Sequence, residues 1–150
     1  MPVERGDRQT EAGDGHTPCM TDYETEVPLS VRYRDIDALG HVNNAVYVTY
    51  LEQARVEYLQ TVFGTRSVDP GFVVARVTVD YEQPVELGDD LLVGLGVTDI
   101  GTTSVTMGYE LRADGALAAT AETVIVALDD DDTPRQIPDT WRERIAAHEG

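Results

Sequence analysis

The chain of 150 residues contains no lysine: all 11 basic residues are arginine, against 28 aspartates and glutamates, for a formal net charge of −17. A surface of that sign repels phosphate backbones and anionic lipids, which argues against nucleic-acid and membrane-surface binding. Cysteine is nearly absent as well. The single Cys19 sits in a polar stretch, so an intramolecular disulfide is impossible and a Cys/His metal cluster is unsupported. No apolar run approaches the roughly 18 residues of a membrane-spanning helix. Residues 1–26 have no apolar segment suited to a secretory signal. The expectations are a cytoplasmic protein without a metal.

The acids are spread along the whole chain rather than gathered in a tail. That distribution points to adaptation to high salt, where ions screen the self-repulsion that would otherwise oppose a compact state. The length suits one domain with a single hydrophobic core. Residues 1–26, rich in Gly, Thr and charge, are expected to form a disordered leader, with residues 27–150 as the folded domain. Met20 could itself be a natural start, in which case residues 1–19 come from an upstream start choice and contribute no function.

Val27 to Arg34 predicts a first strand, with Val27, Leu29, Val31 and Tyr33 alternating against polar neighbours. After a loop through Asp35–Val42, the pattern turns helical from Asn43 or Asn44 to about Phe63. Tyr47, Tyr50, Leu51, Ala54 and Tyr58 share one face, and Gly64 supplies the stop. Such a helix is roughly 30 Å long, and its broad apolar face predicts enclosure. Strands follow over Phe72–Gln83, Leu91–Asp99, Thr103–Arg112 and Ala116–Leu128, then a short helix within Ile137–His148. One long helix followed by an antiparallel run is an α+β pattern, a curved sheet wrapping one helix. No Gly-rich phosphate loop opens a helix.

The segment RYRDIDALGHVNNAVYVTYLEQAR, Arg32 to Arg55, carries the chemistry. The first turn of a helix presents unpaired N–H donors and the positive end of its dipole. A carbonyl docked there is polarised, and a tetrahedral oxyanion would meet donors already oriented. Asp37 lies just ahead of that start, with Gly40 allowing a tight loop between. Its carboxylate can attack a carbonyl directly or deprotonate a water. Each residue also has a plainer role: Asp35 and Asp37 as loop acids, His41 as a packing residue, Asn43 or Asn44 as helix cap, Glu52 and Arg55 as an i, i+3 pair, the tyrosines as core.

Taken together, acid-x-acid, Gly-His-Val-Asn-Asn, Tyr-x-x-Tyr and Glu-x-Ala-Arg closely resemble the signature of hotdog-fold acyl-CoA thioesterases of the 4-hydroxybenzoyl-CoA thioesterase type. The resemblance continues through VTVDYEQPVELGDDLLV and IGTTSV, covering roughly residues 27–128. It implies a hotdog fold, a curved antiparallel sheet around one long central helix, with protomers pairing as a homodimer or a dimer of dimers. It implies an acyl-CoA substrate and no cofactor, because the CoA arrives with the substrate. The family's catalytic acid falls on Asp37 and its carbonyl-polarising N–H at or beside Asn44. His41 and Asn43 support the Asp37 loop, and Glu52 is a reserve acid, since helix carboxylates serve in other hotdog branches. The 4-hydroxybenzoyl-specific members carry Pro-Ala-Gly after the second acid, whereas this chain has Ala38-Leu39-Gly40-His41, closer to members acting on fatty acyl thioesters. Tyr47, Tyr50 and Phe72 are expected to bound the acyl pocket. Arg32, Arg34, Arg66 and Arg76 are the candidates for the CoA phosphates. A hotdog hydratase or dehydratase, and a non-catalytic acyl-CoA-binding module, are the alternative readings.

The charge distribution makes its own prediction. The thermal unfolding midpoint should rise between low salt and molar KCl, as self-repulsion is screened; an unchanged midpoint would contradict adaptation to high salt.

Overall fold

The computed structural model describes Thr21, residues 23–66 and residues 71–150. The elements are β1 (Thr25–Ser30), α1 (Val46–Phe63), β2 (Phe72–Tyr81), β3 (Asp90–Ile100), β4 (Ser104–Ala113), β5 (Ala116–Ala127) and α2 (Asp139–Glu149). The strands form one antiparallel sheet in the order β1-β3-β4-β5-β2. This is the α+β hotdog arrangement, with α1 packed against the sheet. No helix among the described residues is long and apolar enough to cross a membrane.

The local chemistry explains most boundaries. The β4–β5 hairpin turns on Asp114 and Gly115, both at positive φ (51° and 85°), as a two-residue loop matching the strand twist requires. Gly64, at φ 76°, ends α1 and donates its N–H to Gln60 O at 3.0 Å. Helix α1 starts at Val46, later than the asparagines. Neither asparagine caps it: Ala45 holds the N-cap position with no side-chain cap bond, and the Asn43 Oδ1 accepts the Ala45 N–H at 2.8 Å in the turn ahead of the helix.

The first strand differs from its expected span. It begins at Thr25 and stops at Ser30, and Tyr33–Asp35 forms a 3-10 turn in place of strand. The Asp35 carboxylate accepts the Arg32 N–H at 2.9 Å, which curls the chain there and leaves Tyr33 83% exposed instead of buried. Thr25 and Glu26, placed in the expected leader, pair with Leu95 and Gly94 of β3. Thr21, Tyr23 and Glu24 of that leader are described as well, whereas residues 1–20 and 22 lie outside the described residues.

Tyr47, Tyr50, Leu51, Ala54, Tyr58 and Val62 of α1 are buried against Val93, Leu95, Met107, Leu111 and Ile125 of the sheet. Arg55 is buried with them at 7% exposure. In place of the i, i+3 pair with Glu52 that was one reading of it, Arg55 donates to Tyr109 Oη at 3.2 Å, which shares a hydrogen bond with Thr123 Oγ1 at 2.9 Å. A guanidinium taken out of water needs such a partner, because an unsatisfied buried donor is costly.

Helix α2 closes one sheet edge. Strand β1 pairs with β3 only as far as Leu95, and beyond it Glu149 accepts the Val97 N–H at 3.0 Å and the Tyr58 hydroxyl at 2.6 Å. The opposite edge is β2, which pairs only with β5 among the described strands and exposes Val73, Val74, Val77 and Tyr81.

Burial holds three α1 phenols in the neutral form. It pushes Tyr47 up to about 12. Burial, with hydrogen bonds to Asp35 and Glu149 respectively, pushes Tyr50 and Tyr58 higher still. The folded state therefore holds these protons more tightly than the unfolded chain. Their contribution is complete below about pH 10, the ordinary tyrosine value, and is lost as pH climbs through the raised folded values. Phenolate absorbance should show three tyrosines ionising only together with alkaline unfolding. Full ionisation of Tyr47, Tyr50 and Tyr58 with the fold intact would contradict this.

Candidate functional site

Residues 35–44 form a loop closed upon itself. Ile36 bridges Val42, Asp37 N–H donates to His41 O at 2.8 Å, and Gly40 N–H to Asp37 O at 3.0 Å. Gly40 sits at φ 85°, a conformation other residues adopt only under strain, and this makes so tight a turn possible. Leu39 N–H donates to Asp37 Oδ1 at 2.9 Å, fixing the carboxylate.

Asp35 ties the loop to the helix. Its carboxylate accepts the Tyr50 hydroxyl at 2.7 Å in addition to the Arg32 N–H, and its carbonyl accepts the Asn43 N–H at 2.9 Å. The first acid of the motif is thus committed to holding structure, and Tyr50, expected at the acyl pocket, is its helix anchor. On the other side Val42 N–H donates to Val85 O at 2.8 Å, fastening the loop to the turn after β2.

Asp37, His41, Asn44, Tyr47, Tyr81 and Glu82 line a cleft of about 340 Å³ at the N-terminus of α1. Tyr81 donates its hydroxyl to Asn44 O at 2.8 Å and packs edge-on against Tyr47, with ring centroids 4.9 Å apart. The Asn44 backbone N–H donates to no atom among the described residues. His41 Nε2 lies 3.7 Å from Glu86 Oε2. Asp37, His41 and Asn44 therefore share one cleft, which Asn43 does not line; its side chain accepts the Ala45 N–H instead. Tyr81 and Glu86 had not been singled out in the sequence. Tyr81 ends an alternating strand and Glu86 sits in a turn, and neither pattern marks a site.

Glu52 is not brought to this cleft. It is exposed on α1 and lines a second cleft of about 360 Å³ with Arg55, Arg66, Gly71 and Phe72. A larger concavity of about 580 Å³ lies on the outer face of the sheet, among Thr78, Asp80, Glu110, Arg112 and Glu122. It is the weaker site despite its size, because Arg112 is ion-paired with Glu110 and no helix terminus reaches it. No three acidic, His or Cys side chains among the described residues converge as metal ligands.

A family model described as the thioesterase-like superfamily matches residues 31–145. The chain is 34% identical over 110 residues to the acyl-CoA thioester hydrolase YbgC of Escherichia coli O6:H1, covering 68% of this chain and 80% of the relative. The acyl-CoA thioesterase YbgC of Haemophilus influenzae is 29% identical over 115 residues, covering 73% and 85%. Among solved structures, a thioesterase from Thermus thermophilus complexed with coenzyme A and Zn superposes with a TM-score of 0.82. It is 41% identical, and the match covers 87% of this chain and 98% of that one.

The different tasks of the two loop acids are separable by stability. Asp35→Ala leaves the Tyr50 hydroxyl and the Arg32 N–H without their acceptor and should cost about 2 kcal/mol. Asp37→Asn keeps an oxygen for the Leu39 N–H and should cost less than about 0.5 kcal/mol. Urea unfolding of both variants checks the pair; equal losses would contradict the division.

Proposed function

The chain belongs to the thioesterase-like superfamily, and from that premise we propose that it hydrolyses an acyl-CoA thioester to the free acid and CoA. The observation that supports this reading is that Asp37 and Asn44 line one cleft ahead of α1, with the Asn44 N–H given to no backbone carbonyl among the described residues. With the thioester carbonyl oxygen at that N–H, the helix dipole and the donor polarise the carbonyl and stabilise the oxyanion, a single such donor contributing roughly 3 kcal/mol.

Asp37 then acts in one of two ways. It attacks the carbonyl carbon, expelling the CoA thiolate and leaving a mixed anhydride that water cleaves, or it takes a proton from a water that attacks instead. Both routes end in acid and thiol. The Leu39 N–H keeps the carboxylate aimed in either case. His41, with Glu86 behind it, and Asn43 support the loop, and Tyr47 and Tyr81 form an apolar wall for the acyl group. An acyl-CoA of unspecified chain length is the favoured class, from the Gly40-His41-Val42-Asn43-Asn44 version of the motif.

The working form is at least a dimer. Among the described strands β2 pairs only with β5 and exposes apolar side chains, and such an edge in a small domain is best covered by a partner. The place of work is the cytoplasm. The pairing of His41, which lines the cleft, with Glu86 at 3.7 Å favours one second reading, a hydratase on acyl thioesters, which would add water to an enoyl-CoA without releasing CoA.

Free-thiol release from a panel of short, long and aromatic acyl-CoAs in molar KCl is the test. Asp37→Asn should lower kcat by about 10²- to 10⁴-fold while the fold persists. Near-normal turnover in that variant would sink the assignment.

A further inference from the structure

The thioesterase reading gives the oxyanion a donor in the Asn44 N–H, whose direction is set by the two peptide planes that meet at the Asn44 Cα. The plane carrying this N–H is held at its other end, where Asn43 O accepts the Val46 N–H at 2.9 Å. The next plane is held twice. Its N–H, that of Ala45, goes to Asn43 Oδ1 at 2.8 Å, and its carbonyl, that of Asn44, accepts the Tyr81 hydroxyl at 2.8 Å.

These bonds differ in reach. Those made by Asn43 are local and shape the turn without tying it to the sheet. Asp35 O, which accepts the Asn43 N–H at 2.9 Å, and the start of α1 hold the two ends of the turn. The Val48 N–H goes to Ala45 O at 3.3 Å, so Asn44 O accepts no main-chain donor among the described residues. Tyr81 takes that place from 37 positions away, at the end of β2. Its hydroxyl makes the only hydrogen bond between residues 44–45 and the sheet among the described residues.

The Tyr81 ring is itself steadied, edge-on against Tyr47, which is 3% exposed. Further along the same stretch, Val85 O accepts the Val42 N–H of the Asp37 loop. Residues 81–85 therefore reach both halves of the site, the turn that carries the donor and the loop that carries the acid.

We propose that Tyr81 is a positioning residue: its hydroxyl, by holding Asn44 O, aims the Asn44 N–H at the place where the oxyanion forms. A donor already aimed needs no reorganisation as charge develops. The consequence for turnover rests on the thioesterase reading, but the hold itself is measurable without substrate.

Tyr81→Phe keeps the ring that lines the cleft and removes only the hydroxyl. On the acyl-CoA that the unsubstituted protein hydrolyses best, kcat should fall about tenfold while KM changes less than about twofold, the pattern of an interaction used only in the transition state. In the free protein, NMR relaxation should show the Asn44 amide falling from an order parameter of about 0.85 to below about 0.6, with the amides of the sheet and of the middle of α1 unchanged. An unchanged Asn44 amide overturns the proposal, because the hydroxyl then holds nothing. So does a looser amide with unchanged kcat, or a raised KM with kcat preserved, which would leave Tyr81 as cleft wall alone. If the amide loosens as expected and the unsubstituted protein hydrolyses no acyl-CoA, the hold is supported and only the thioesterase reading is refuted.

Discussion

The Asp35 carboxylate is the fixed point from which the site is built. Through it Tyr50 of the helix, the backbone at Arg32 and, via its carbonyl, the backbone at Asn43 are held in one arrangement. The loop that presents Asp37 is anchored by Val42, buried in the core, and by Ile36 packed against it. Its position is borrowed from the helix core below and from the Val85 carbonyl beside it. A group held in place by its surroundings needs less reorganisation to act, and here the Asp35 carboxylate and the Tyr50 hydroxyl supply that hold.

The same economy governs the cations. With no lysine and few basic residues, several arginines are committed to contacts within the protein, Arg55 buried and the others half-buried. Arg55 binds Tyr109 in the core, Arg112 pairs with Glu110, Arg135 lies over the Trp141 ring at 5.3 Å, and Arg142 donates to Gly101 O at 2.7 Å. Each uses the planar, multi-donor guanidinium in a way an ammonium reproduces poorly. The surface is left strongly acidic, and an anionic substrate is confined to the few places where an arginine still faces outward.

The sequence made the long helix and the strand succession legible because both are local periodicities: an apolar face at helical spacing, alternation in the strands, and glycines where the backbone turns left-handed. The Asp37 cluster was legible as a dense motif before a helix start. Features set by contacts distant in sequence were not. The Asp35 hydrogen bonds turn an apparent strand end into a 3-10 turn at Tyr33. Tyr81 reaches Asn44 across 37 positions, and Glu86 meets His41 from another turn. Arg55 looked like half of a surface pair because sequence spacing reports who is near on the helix, not which side faces the sheet.

The most direct measurement is a crystal structure of Asp37→Asn with an unhydrolysed acyl-CoA, grown at high salt. The account predicts the thioester carbonyl oxygen within about 3 Å of the Asn44 N–H, with the residue 37 side chain beside the carbonyl carbon. A thioester bound on the outer face of the sheet, or anywhere out of reach of both groups, would contradict it.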